Sequence, residues 1–266
     1  MCLLAFQWKE HPDYPLILVA NREESFKRPA SRLHYWKDEP DILAGRDLKG
    51  MGTWLGMTVA GKISAVTNEP FTPFEPIEPV ISRGNLVREY LSGEEKPVPY
   101  GLKLKETRQH FNGYQLLFGD LSQLFVYQNS TGHFKKLAPG SHTLSNAPSQ
   151  DMLPKNRRAN ELLTNHICSH AHLKPQELAA LFHDTEPAEN FSSLTRFLPE
   201  EEARKASAIF VEGDHFGTVS TAVILVDTEG KTQFLERKYN QKGMFHDTLL
   251  EWNLGETSDK KPDLFN

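Results

Sequence analysis

The sequence predicts an α+β protein of stacked sheets and helices, and three observations carry that prediction. Short apolar runs of strand length crowd both ends of the chain, and a helical block falls between them. The strands and helices do not alternate in the regular β–α–β manner that a doubly wound parallel sheet requires, so layered sheets are favoured.

From the N-terminus, Cys2–Trp8 and Tyr14–Asn21 are apolar runs whose lengths suit buried strands. Thr53–Val59 and Lys62–Asn68 are β-rich runs either side of Ala60-Gly61, which reads as a tight hairpin. A proline-rich linker, Pro70–Pro79, precedes a helix that Ser82 can cap. That helix runs through Leu86, Val87, Tyr90 and Leu91 to Gly93, a residue suited to the left-handed C-terminal position. Gly113–Gly119 and Gln123–Gln128 form a second hairpin, followed by a strand over His142–Asn146. Helices are expected over Leu153–Ser169, where Pro154 fits the first turn, and over Pro175–His183. Ala206–Glu212, Thr218–Asp227 and Thr232–Arg237 are the last strand candidates, separated by turns at Gly213–Gly217 and Gly230. From Gly255 onward the tail is polar, and no internal repeat interrupts the chain.

A length of 266 residues lies near the upper limit for one hydrophobic core, so one domain over residues 1–254 with a tail at 255–266 is expected. Hydrophobic residues at 38% and charged residues at 24% are the proportions of a globular protein. The formal charge of -5 argues against nucleic acid as a partner, because affinity for phosphate backbones comes from clustered Lys and Arg. Two cysteines, Cys2 and Cys168, make no disulfide framework and suit a reducing compartment. The apolar opening Met1–Trp8 lacks a basic flank and stops at Lys9–Asp13, unlike a secretory signal. No run approaches the roughly 18 to 20 apolar residues of a membrane span, so the expectation is a cytoplasmic protein.

Cys2 is the most informative residue. Removal of Met1 places a thiol and a free α-amine on one residue, and with ordinary pKa values of about 8.5 and about 7.7 to 8.0 the amine can take the thiol proton near neutral pH. The competing reading is a small apolar residue buried in a first strand. Asn21-Arg22-Glu23-Glu24 ends the second strand run, where a guanidinium can lower a nearby thiol pKa or grip a carboxylate, or simply join a surface ion-pair network. Asn68 and Asn146 end apolar runs, positions from which an amide can stabilise an oxyanion or merely form a turn. His166, Cys168, His170 and His172 cluster on or beyond a helix, but their spacings split them between two faces and Cys168 reads as a core residue, so no metal site is expected. The chain has no C-x-x-C-H, neither cysteine precedes a proline, and both the phosphate-binding and the dinucleotide-binding glycine motifs are missing.

As an ordered set these signals resemble the NRDE family, named for Asn-Arg-Asp-Glu, which includes the Transport and Golgi organisation 2 proteins. The resemblance rests on Met1-Cys2-Leu3-Leu4, Asn21-Arg22-Glu23-Glu24 with Arg28-Pro29, Gly52-Thr53-Trp54-Leu55-Gly56, Thr67-Asn68, Arg83-Gly84, Asn112-Gly113-Tyr114, Leu144-Ser145-Asn146, Gly217-Thr218 and Glu236-Arg237. It covers about residues 1 to 240. The family in turn is similar to the cysteine N-terminal-nucleophile hydrolases, which implies a four-layer αββα sandwich with Cys2 at a cleft. By position, the resemblance implies catalytic roles for Cys2, Arg22, Asn68 and Asn146, and ligand binding by Asn21, Glu23, Glu24 and Trp54. Two positions depart from the family pattern: Glu23 stands for Asp, and Val219 stands where a late Arg is usual. Family members are associated with haem trafficking and with lipid or coenzyme A homeostasis. The leading expectation is therefore a small-ligand protein, a haem carrier or a handler of lipid or acyl ligands, with no cofactor required and haem as a candidate cargo. The alternative is cleavage of an amide C–N or acyl bond by Cys2.

Overall fold

The computed structural model describes residues 2–69, 72–146 and 153–255, apart from 193, 196 and 197. In chain order the first strands are β1 (Cys2–Trp8), β2 (Leu16–Ser25), β3 (His34–Tyr35), β4 (Ile42–Ala44), β5 (Leu55–Thr58) and β6 (Ile63–Asn68). Helices α1 (Gly84–Ser92) and α2 (Pro97–Thr107) precede β7 (Tyr114–Asp120), β8 (Gln123–Gln128), β9 (His133–Lys136) and β10 (Gly140–Ser145). After α3 (Pro154–Ser169), α4 (Pro175–Leu181) and α5 (Glu200–Ala206) come β11 (Phe216–Val226), β12 (Lys231–Tyr239) and β13 (Phe245–Asn253).

These strands form two antiparallel sheets, ordered β10-β1-β2-β11-β12-β13 and β3-β4-β5-β6-β7-β8-β9. The order of layers follows from the period of two in each strand. In β1, Cys2, Leu4, Phe6 and Trp8 join Leu16, Leu18 and Ala20 of β2 in a cluster shared with Leu55, Met57, Ile63, Ala65 and Leu117 of the second sheet. The alternate residues Leu3, Ala5, Ile17 and Val19 pack on Ala159, Leu163, Leu178 and Ala179 of α3 and α4. On the far side, Tyr114, Leu116 and Phe118 of β7 meet Leu86, Val87, Tyr90, Tyr100 and Leu104 of α1 and α2. The result is the αββα sandwich. Because β1 is covered on both faces, all seven of its residues are buried, which is why it reads as a continuous apolar run instead of an alternating one. Each fully buried Leu or Phe in these layers contributes about 1.5–3 kcal/mol from burial.

The hairpins at residues 53–68 and 113–128 form as β5/β6 and β7/β8, with Gly61 at φ 94° in the first turn. Other local expectations differ. The run Ala206–Glu212 is not a strand: Ala206 ends α5, and the apolar residues after it are buried as irregular chain. Its backbone groups are satisfied outside any ladder, since Ile209 O accepts from Asn21 Nδ2 at 2.9 Å, Phe210 N donates to Asp184 O at 2.8 Å, and Val211 N donates to Thr218 Oγ1 at 2.9 Å. Helix α1 starts at Gly84 without a side-chain cap from Ser82, and Gly93 is extended at φ −74° instead of left-handed. Lys62 Nζ reaches the Tyr90 carbonyl at 3.3 Å and also the Gly93 carbonyl, serving the helix end that a left-handed turn would otherwise close. Helix α2, in a segment with two prolines and a glycine, carried no clear helical signal; Pro97 starts it without losing a hydrogen bond. The linker residues 70 and 71 and the tail beyond Gly255 lie outside the described residues. Among the described residues, no helix is long and apolar enough to cross a membrane.

Candidate active site

The alternation that builds the core also builds a cleft. Cys2 stands one pleat before Leu4 on the inter-sheet face of β1, and the register sets it opposite Arg22 of β2. The cleft takes Cys2, Arg22, Glu24, Trp54, Asn68 and Arg83 into its lining. Burial pushes the Cys2 thiol up; the Glu23 charge acts the same way, while Arg22 and a hydrogen bond with the Glu23 main chain act against it.

The cations around the cleft are held in different ways. Arg28 donates through Nε to Asp47 Oδ2 at 2.9 Å, and Arg46 grips Asp38 with two bonds of 2.7 Å while lying 4.1 Å from the Trp36 ring. Among the described residues, the ion-pair contact of Arg22 is a long one, 3.9 Å to Glu24 Oε2. Arg83 is half-buried and donates to the Gly113 carbonyl at 2.9 Å; among the described residues no carboxylate lies within ion-pair distance of it. Burial holds the Arg83 guanidinium below its ordinary pKa, while the charges of Cys2 and Glu24 favour its cationic form. Arg22 and Arg83 are thus the cleft's available positive charge. Glu236 also lines the cleft, accepts a 2.7 Å hydrogen bond from Leu33 N, and is pushed up by burial.

Local structure explains how distant motifs reach one place. A Cβ on Gly52 would sit 2.4 Å from the Gly84 carbonyl group, and Thr53 N donates to Gly84 O at 3.2 Å. The Gly-Thr-Trp turn and the Arg-Gly helix start therefore meet backbone to backbone, which sets Trp54 and Arg83 on the same cleft.

The structure splits the residues expected from sequence. Cys2, Arg22, Glu24, Trp54 and Asn68 come together in the cleft. Asn21 does not: it is fully buried on the helix-facing side of β2, donating to Phe182 O at 3.0 Å and Ile209 O at 2.9 Å and accepting from Thr221 Oγ1 at 2.6 Å. Glu23 borders the cleft, but its carboxylate turns to the helices and pairs with Lys155 Nζ at 3.1 Å, both groups being at most 1% exposed. Four consecutive polar residues cannot all face one site in a strand, so the alternation of β2 divides them. Asn146 is buried just past β10, one step beyond the Leu3–Ser145 pair and so beside Cys2, yet it does not line the cleft. Val219 lies at the bulge between Thr218 and Ser220 and lines a neighbouring groove with Phe26, Lys27, Lys238 and Tyr239, which shares Arg22 and Arg28 with the cleft. The cleft also takes in Arg83 and Glu236, which the sequence shows only as members of motifs. Arg83 stands beside Gly84, and Glu236 follows the apolar pair Phe234-Leu235 and opens the charged run Glu236-Arg237-Lys238. Cys168, expected in the core, is exposed.

The whole-chain pattern of these motifs matches a known family. The model of Transport and Golgi organisation 2 covers residues 1–241. This chain belongs to that family. The Bos taurus Transport and Golgi organization protein 2 homolog is 30% identical, with 89% of this chain and 92% of that protein aligned. The Homo sapiens homolog is 28% identical over 92% of this chain and 96% of its own length. Among solved structures, a mutant conjugated bile acid hydrolase from Clostridium perfringens is similar, with a TM-score of 0.54 at 11% identity over 98% of this chain and 95% of that one. The fold of this chain is thus that of the N-terminal-nucleophile hydrolases.

Proposed function

We propose that the cleft hydrolyses an amide C–N or related acyl bond in a small anionic substrate, with Cys2 as the nucleophile. The observation that carries this reading is the position of Cys2 in a polar cleft shared with two arginines, Arg22 and Arg83, that have no close carboxylate partner among the described residues. A half-buried cation is costly to leave uncompensated, so the cleft favours a substrate that brings its own carboxylate or comparable anion.

With Cys2 at the N-terminus after Met1 is removed, its α-amine accepts the thiol proton as Sγ attacks the acyl carbon. The oxyanion that forms is met by the Asn68 side chain, a type of contact that supplies roughly 10²–10³ in rate elsewhere. Collapse of the tetrahedral intermediate breaks the C–N bond, the ammonium returns its proton to the leaving amine, and a thioester remains. Water then attacks the thioester with the same amine as base, releasing the acid and restoring the thiol. The similar bile acid hydrolase acts on a conjugated acid, and this chain shares its fold. Two free cysteines suit a reducing compartment, so the reading puts this activity in the cytoplasm.

Carriage of haem or a lipid acid without cleavage is the second reading. It is favoured by the neighbouring groove, where Phe26, Val219 and Tyr239 offer apolar surface beside Lys27, Lys238 and Arg22. Intact mass on protein from its own cells, before and after a mild thiol-directed electrophile, separates the two. Loss of Met1, selective labelling of Cys2, and amine release from N-acyl amino acids that stops in Cys2→Ser support hydrolysis. Retained Met1, an inert Cys2, and a Soret band or co-purified lipid overturn it in favour of carriage.

A further inference from the structure

The last turn of α3 and the first turn of α4 bring together three side chains that play no part in the cleft. His166, His170 and Glu177 have ligand atoms all within 4.8 Å of one another. The two imidazoles stack with centroids 4.1 Å apart and an interplanar angle of 19°. His166 Nε2 is shielded from solvent and makes no hydrogen bond. His170 Nδ1 lies 2.8 Å from the His166 carbonyl. Donation from that nitrogen fixes the tautomer and leaves the Nε2 lone pair outward, the arrangement that orients a metal-binding histidine. Glu177 is half-buried and accepts from Lys174 Nζ at 2.8 Å.

We propose that His166, His170 and Glu177 form a site for a borderline divalent cation of the Zn²⁺ class, with water completing its coordination. His166 lies in the last turn of α3 and His170 just past its end in extended backbone, where ring stacking and the contact with the His166 carbonyl fold it back onto His166, while Glu177 approaches from the first turn of α4. Two imidazoles and one carboxylate are a donor set for zinc and its neighbours, not for Mg²⁺ or Ca²⁺, which prefer oxygen alone. Bonds of about 2.0–2.2 Å place tetrahedral ligand atoms roughly 3.4 Å apart. The three atoms must therefore close by at most about 1.4 Å, within reach of side-chain rotation. The bound ion would clamp α3 to α4, the helices that cover the sheet bearing Cys2.

The test is calorimetric titration of tag-free protein with ZnCl₂, repeated with MgCl₂ and CaCl₂, for the parent chain and for His170→Asn, Glu177→Gln and Lys174→Gln. The expected result is one Zn²⁺ per chain, no Mg²⁺ or Ca²⁺ binding, and affinity at least tenfold weaker in the first two variants. Lys174→Gln should tighten binding, because it removes the cation that competes for Glu177. A parent chain that does not bind Zn²⁺, or binding that is unchanged in His170→Asn and Glu177→Gln, overturns the proposal. His170 and Lys174 are exposed and Glu177 is half-buried, and circular dichroism confirms that each variant is folded. The outcome is independent of Cys2 chemistry.

Discussion

Removal of the Lys155 ammonium is the most informative perturbation of the scaffold under Cys2. Lys155 and Glu23 are paired at 3.1 Å with side chains at most 1% exposed, between α3 and the sheet that carries the cleft. A buried carboxylate that loses its partner keeps its desolvation cost and forfeits the attraction, a loss of about 3–5 kcal/mol in comparable sites. For 266 residues, an unfolding entropy of about 2.1 cal/mol/K per residue turns that loss into a fall in Tm of roughly 5–9 °C. Lys155→Ala should show this fall in scanning calorimetry and a matching drop in the urea midpoint. The double variant Lys155→Met, Glu23→Leu should recover most of it, because no unpaired charge is left. Because the Glu23 main chain hydrogen-bonds the Cys2 thiol, Lys155→Ala should also change the rate at which an electrophile labels Cys2. A loss below about 1 kcal/mol in Lys155→Ala, or a double variant no better than the single one, would refute the claim that this pair is a mutually dependent buried unit.

Further outcomes follow from the cleft. Arg83→Gln should raise KM for an anionic amide by about tenfold or more while leaving an uncharged analogue unaffected, as steady-state kinetics on the two substrates will show. Asn68→Ala should lower kcat by roughly 10²–10³ with little change in KM if its amide meets the oxyanion. Gly52→Ala should destabilise by about 1–3 kcal/mol in urea unfolding, because its Cβ would lie 2.4 Å from the Gly84 carbonyl group. Glu236 has a folded pKa raised above its ordinary 4.5 by burial, so the folded state holds that proton more tightly than the unfolded one. Its contribution is then fully present below about pH 4.5 and is lost as pH rises through the higher folded value. Glu236→Gln should flatten this part of the stability curve, which chemical unfolding between pH 4 and 8 will measure.

The sequence by itself determined the parts of this protein that depend on local pattern. Apolar runs located β1, β2, β11 and β12, and turn chemistry located both hairpins, because strand period and turn conformation are properties of a few neighbouring residues. The spacing of motifs was enough for the family, and Cys2 was legible as a chemical group before any fold was known. Side-chain destination was only partly legible. The period of two already separates Arg22 and Glu24 from Asn21 and Glu23, but only the packing of α3 and α4 on one face shows which pair the cleft receives. The buried segment after α5 looked like a strand because burial, not pairing, made it apolar. Arg83 joins Cys2 only because two glycines let Gly52 and Gly84 touch across 32 positions of chain. His166, His170 and Glu177 likewise depend on the angle at which α4 meets α3. Contacts between residues distant in the chain are fixed by how whole layers close on one another, and that closure is decided by the tertiary structure.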